Sequence, residues 1–171
     1  MGASSKGRWL LDATKLLKNQ HDEVKALFSR FEKADDDARR QELFEEIADA
    51  LAAHSEIEEK IFYPSVYVGP LKEKLDEAVE EHLAAKRVIA DLLKLEPDDK
   101  EFDAKMKLLQ EEIEHHVEEE EGELFPKVRK NFDSAELETM GQQMAEMFAQ
   151  LEKKEPRLSV PSQTGHAAPL D

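Results

Sequence analysis

Cysteine is absent from the 171 residues, which excludes disulfides, iron–sulfur clusters and thiol chemistry. Glycine numbers only 6, aromatic residues make up 6%, and runs of β-branched residues are almost lacking. A chain so poor in turn and strand formers is expected to be all-α. No apolar stretch approaches the roughly 18 residues that a membrane span needs. No secretory signal pattern opens the sequence, so a cytoplasmic location is expected. Lys6 stands where a myristoylation signal requires Ser or Thr. Basic charge is in deficit too: Lys and Arg number 24 against 40 Asp and Glu, a net charge of -16. That surplus repels phosphate backbones and anionic membranes, so neither nucleic acid nor a membrane is expected as a partner.

What the chain does have is apolar residues in helical phase. Four seams recur at steps of three and four, the spacing that places side chains on one helical face. The first is Leu10, Leu17, His21, Val24, Phe28, Phe31, and the second is Phe44, Ile47, Leu51, His54, Glu58, Ile61. The third is Leu71, Leu75, Ala78, His82, Ala85, Ile89, Leu92, and the fourth is Phe102, Met106, Leu109, Ile113, His116, Glu120, Leu124. Six polar residues thus interrupt the apolar stripes. One hydrogen bond accommodates a lone core imidazole, whereas an ionised carboxylate there costs several kcal/mol unless it is paired or bound to metal. No Lys or Arg stands on the seams at that level, so Glu58 and Glu120 require cations.

The turns decide whether the six can meet. Turn signals at Ala34 to Asp37, Val68 to Pro70 and Leu95 to Asp99 divide the chain into four antiparallel helices. His21 and His54 lie 15 and 18 residues either side of Asp36, and His82 and His116 lie 15 and 19 either side of Pro97. At about 1.5 Å of rise per residue, all four imidazoles fall in one layer. Glu58 and His82, 11 and 13 residues from Gly69, agree with that level. Internal similarity points the same way. His54, Glu58, Glu59 and Pro64 match His116, Glu120, Glu121 and Pro126 at a constant offset of 62, and His21 and His82 are 61 apart. The chain therefore reads as two helical hairpins of like design.

These residues carry a family resemblance. His21-Asp22, His54 with Glu58-Glu59, His82, and His116 with Glu120-Glu121 before Leu124-Phe125-Pro126 resemble the hemerythrin-like (HHE) cation-binding domain over about residues 12 to 152. The resemblance implies an up-down-up-down four-helix bundle holding two iron ions, cycling between Fe2+ and Fe3+. Lys86 departs from the pattern of an oxygen-carrying hemerythrin, which would have a second histidine there. Glu120 fills the i+4 position, with Glu121 where an Asp would stand. Simple oxygen carriage is therefore not the expectation. Four imidazoles and two bridging carboxylates supply eight donors where two octahedral ions need about twelve. A bridging oxide or hydroxide would fill two more, leaving about two positions for small molecules. Nitrogen and oxygen donors alone also suit manganese or zinc, so the preference for iron comes from the resemblance.

The expected function is reaction with O2, peroxide or nitric oxide at a carboxylate-bridged centre supplied by an unknown electron donor. The alternatives are an iron- or oxygen-sensing module without turnover, and a zinc-stabilised interaction bundle. His115 lies one residue, about 100°, off the seam and is set aside as a ligand. Glu59 and Glu121 are alternate ligands or supports for ligands. Tyr63 and Tyr67 are read as boundary packing, and Asp22 and Glu81 as exposed. Pro64 and Pro126 should end or kink their helices, with Phe62 and Phe125 closing the pocket.

The expected organisation is an N-terminal extension over 1–11, the bundle over 12–132, a further helix over 133–153 and a flexible tail over 154–171. Asp133, Ser134 and Glu136 look like a capping box. The face bearing Met140, Met144 and Met147 is expected to pack on the bundle, with a homodimer contact as the alternative. The tail holds Pro156, Pro161, Gly165 and Pro169 with few large apolar residues.

Overall fold

The computed structural model describes residues 11–171 and, among them, is all-helical. Leu10 and all but the last residue of the expected N-terminal extension lie outside the described residues. Helix α1 (Ala13–Lys33) starts at Asp12, whose carboxylate accepts from the Lys15 N–H. Helix α2 (Asp37–Ile57) starts in the same way at Asp36, which accepts from Arg39 N–H. Each cap satisfies a backbone donor that the first turn leaves free. After α2 come a widened turn (Glu58–Phe62), α3 (Tyr63–Val66) and a 3-10 turn (Gly69–Leu71) in which Gly69 takes φ 28°. The second hairpin is α4 (Lys72–Leu92) and α5 (Phe102–Glu119), followed by another widened turn (Glu120–Leu124) and α6 (Phe125–Asn131).

The two prolines do not end their helices. Pro64 and Pro126 sit in the first turns of α3 and α6, and the backbone before them stays helical. A proline ring clashes with the carbonyl four residues back. Here one turn is widened instead: Tyr63 N–H donates to Glu58 O and Phe125 N–H to Glu120 O, each five residues back. Both widened turns begin at the seam glutamates.

The core falls into two apolar clusters with the polar layer between them. At one end lie Leu17, Ile57, Phe62, Val66, Leu75, Leu124, Phe125 and Val128. At the other lie Val24, Phe28, Phe44, Ile47, Leu51, Ile89, Phe102 and Leu109. His21, His54, Glu58, His82, His116 and Glu120 are all buried between them. Helix α7 (Ser134–Glu152) opens with the capping box of Asp133 and Glu136. It lays Leu137, Met140 and Met144 against the first cluster, so the methionine face is covered by the chain's own bundle. Gly141 permits the approach: a Cβ there would collide with Leu11 O and lie 3.0 Å from Ala13 N.

The C-terminal segment departs from the expected flexible tail. Pro156–Gln163 forms a 3-10 helix that packs against both α2 and α4. Val160 is 1% exposed, and Pro156 and Leu170 are buried. Arg157 fixes it: its N–H and guanidinium donate to the two Asp49 oxygens at 3.0 and 2.9 Å. Composition alone pointed to disorder, but a few well-placed apolar side chains and one arginine that donates to a carboxylate through both its backbone and its side chain suffice to dock so short a segment. No helix among the described residues is long and apolar enough to cross a membrane.

Candidate metal centre

All six seam residues converge. His21, His54 and Glu120 form one group of potential donors, and Glu58, His82 and His116 form another, with the atoms of each group within 4.8 Å of one another. Both carboxylates span the two groups. Glu120 places Oε1 at 3.1 Å from His21 Nε2 and Oε2 at 3.2 Å from His116 Nε2. Glu58 Oε1 lies 2.9 Å from His54 Nε2 and 3.2 Å from His82 Nε2. Phe125 stacks parallel to His21 at 6.1 Å and meets Phe62 edge-on at 5.9 Å, closing one end of the site.

The outward nitrogens explain why every Nε2 faces in. His21 Nδ1 is 2.8 Å from Glu121, His54 Nδ1 2.7 Å from Gln20, His82 Nδ1 2.9 Å from Glu59, and His116 Nδ1 3.0 Å from Glu81. Each partner is an oxygen acceptor, so each Nδ1 carries a proton and donates, leaving the Nε2 lone pair for the interior. The four contacts form a circuit. Each imidazole is held by the residue beside a seam ligand of the neighbouring helix, so that all four long helical courses are linked. Lys86 adds a fifth member, its buried ammonium donating to both Glu59 oxygens at 2.8 and 2.9 Å.

Several expectations are corrected here. Glu81 is not an exposed bystander but only 19% exposed and bonded to His116. Tyr63 is fully buried within the site, its hydroxyl donating to Glu120 Oε2, whereas Tyr67 bonds outward to Asp76. Lys86 brings basic charge to the layer from off the seams. Gln20 was not singled out, and its position beside His21 was the available signal. His115 points outward, its side chain 62% exposed, 3.3 Å from Glu81 and Glu119.

The electrostatics favour cations at the centre. Burial lowers the pKa of His21, His82 and His116, but the facing carboxylates outweigh it: all three are raised, His116 well above 6.5. Burial likewise opposes ionisation of Glu58, yet His54, His116 and His82 hold it well below the usual carboxylate value. Burial and repulsion from Glu58 act against Glu120, and His116 and His21 still bring it below its ordinary value. Tyr63 is pushed well above 10 by burial and by both carboxylates, so it stays a donor.

The donor set fits metal. His21 Nε2, His54 Nε2, both Glu58 oxygens and Glu120 Oε1 are buried without an aligned hydrogen bond. Their neighbours are close enough in distance but not in direction for a hydrogen bond. Such buried orphans are rare unless an ion or water completes them. Charge agrees: Glu58, Glu59, Glu81, Glu120 and Glu121 less Lys86 leave four negative charges, which two divalent cations would neutralise.

The profile described as the hemerythrin HHE cation binding domain matches residues 12–128. The chain is 29% identical over 123 residues to a DNA nickase of Nostoc sp., a match covering 72% of this chain but only 35% of that protein. The chain thus spans about a third of that relative's length. The crystal structure of a hemerythrin HHE cation-binding-domain-containing protein from Mycobacterium kansasii superposes with a TM-score of 0.72 at 24% identity, covering 90% of this chain and 94% of the other. That likeness supports the bundle fold.

Proposed function

Because the chain belongs to the hemerythrin HHE cation-binding domain family, we propose that its buried centre holds two iron ions and reacts with O2, peroxide or nitric oxide. The observation that carries this reading is the set of five buried, inward-facing donor atoms without aligned hydrogen bonds, shared between two groups of three ligands. His21 and His54 would hold one ion, His82 and His116 the other, with Glu58 and Glu120 spanning both. When bound, a ferrous pair would supply two electrons, enough with two protons to take hydrogen peroxide to two waters.

The chain's own residues set the conditions for that chemistry. The Nδ1 partners fix each imidazole in the metal-binding tautomer. Phe62 and Phe125 exclude bulk water from one side. Tyr63 holds its proton against Glu120 and so steadies that carboxylate across the two groups. DNA nicking does not transfer to this reading, since most of the Nostoc protein lies outside the match and a net charge of -16 repels a phosphate backbone.

The test is an anaerobic Fe(II) titration of metal-free protein, followed by hydrogen peroxide or air under optical monitoring. Two irons per chain and an oxidant-dependent charge-transfer band are expected. One iron or none, with no oxidant-dependent change, would overturn the di-iron reading.

A further inference from the structure

A cavity of about 30 Å³ lies beside the four imidazoles, with His54, His82, His116, Lys86, Leu51 and Val160 in its wall. Of these, Val160 alone comes from outside the long helices. It belongs to the C-terminal 3-10 segment, which lies against α2 and α4 and seats Val160 in the apolar cluster of Leu51, Ala85 and Ile89. The volume has room for about two water-sized molecules, and its wall at this point is aliphatic.

We propose that the C-terminal segment is the gate of this cavity, with Val160 the residue that sets the size of molecule reaching the imidazoles and Arg157 the latch. The occupant is a small, weakly polar ligand of two to four atoms. Naming it as an oxidant rests on the proposed function, while the gate itself does not. The latch is polar and lies apart from the apolar residues that Val160 joins. Arg157 bonds to Asp49 through both its backbone and its side chain, with Glu45 at 3.7 Å and Glu155 at 3.1 Å also beside it. At the far end, Arg87 Nε donates to Thr164 O at 3.1 Å. The segment is therefore pinned at both ends by polar contacts outside the apolar core, Arg157 to Asp49 and Arg87 to Thr164. The single side chain it buries at its middle is the one that walls the cavity.

Two measurements test the gate, one of which needs no metal. Xenon occupies dry apolar cavities, and NMR of the metal-free protein under xenon should show Val160→Ala binding it at least about fivefold more tightly than the unsubstituted chain. In zinc-loaded protein, Arg157→Ala should raise both the rate of zinc uptake and the rate of zinc release to EDTA by about fivefold, the scale of one partly exposed ion pair. The equilibrium affinity should change by less than about twofold, because a gate alters both rates equally. Leu158→Ala, a change on the same segment at a residue 60% exposed, should move neither readout. Unchanged xenon binding in Val160→Ala together with unchanged zinc rates in Arg157→Ala would overturn the proposal and leave the segment as packing. A fall in zinc affinity without faster uptake would overturn it as well, by making Arg157 a support of the site and not a latch. If the di-iron reading fails, the xenon and zinc results together still decide the gate, because neither uses iron.

Discussion

Three neighbouring side chains offer a graded test of the centre. His116 is buried and aims Nε2 inward, Glu81 holds its Nδ1 at 3.0 Å, and His115, one residue away, is 62% exposed. His116→Ala removes a donor atom and should weaken zinc binding by more than about 100-fold. Glu81→Ala removes only the orienting acceptor, a change that typically costs about 10- to 100-fold in metal affinity. His115→Ala loses only surface pairs worth at most about 1 kcal/mol, and its zinc affinity should change by less than about twofold. The losses convert into stability. With free zinc at about 100 times the dissociation constant, binding stabilises the fold by about 2.7 kcal/mol, and a 100-fold weakening leaves only about 0.4 kcal/mol. For a chain of this size the difference corresponds to a drop in Tm of about 5 to 9 °C. The assay is competition with a chromophoric chelator at pH 7.5, paired with thermal melts at fixed free zinc. Equal losses in His115→Ala and His116→Ala would refute the assignment of faces. An unaffected Glu81→Ala would refute the argument from tautomers.

Two further outcomes are expected. In the metal-free protein the raised pKa values of His21, His82 and His116 contribute stability that is complete below 6.5 and lost as pH rises through the raised values, while the lowered Glu58 and Glu120 contribute stability present above 4.5 and lost on acidification. Urea midpoints should therefore peak between these limits without metal, and added zinc should stabilise increasingly as pH rises above 6.5; a zinc increment independent of pH would contradict this. Gly141→Ala should cost about 1 to 3 kcal/mol in urea unfolding, because its Cβ meets the backbone of Leu11 and Ala13, and the zinc stoichiometry should be unchanged.

The all-helical bundle, its turns and the convergence of six seam residues were legible because apolar periodicity and loop position are one-dimensional signals. The choice of His116 over His115 rested on the seam, from which His115 lies about 100° away, and on the matching distance to proline in each hairpin. Tyr63 was misplaced for a definite reason. In an α-helix, the fifth residue after Glu58 points well away from it, but the widened turn brings Tyr63 back to the interior face. Phe125 stands at the same position after Glu120. A widened turn leaves little trace in composition, although a proline six residues after each seam glutamate was a usable hint. The contacts of Gln20, Glu59, Glu81 and Glu121 were hidden because each lies beside a seam and reaches across to another helix. The docked C-terminal segment was missed because two or three buried side chains count for little in an average over eighteen residues.

The circuit of Nδ1 contacts has a consequence for how such a chain can change over generations. Position 121 steers an imidazole 100 residues away, and 59, 81 and 20 do the same across 23, 35 and 34 residues. A substitution at one of these four is felt first at a ligand on a different helix, so the four positions inherit constraints from partners remote in sequence. Three of the four are carboxylates and one is an amide, and with Lys86 the outer positions give each half of the centre one net negative charge, by one carboxylate at His21 and His54 and by two carboxylates and an ammonium at His82 and His116. Substitutions at these five outer positions would thus be a route by which related chains come to differ in reactivity while keeping the same six inner residues.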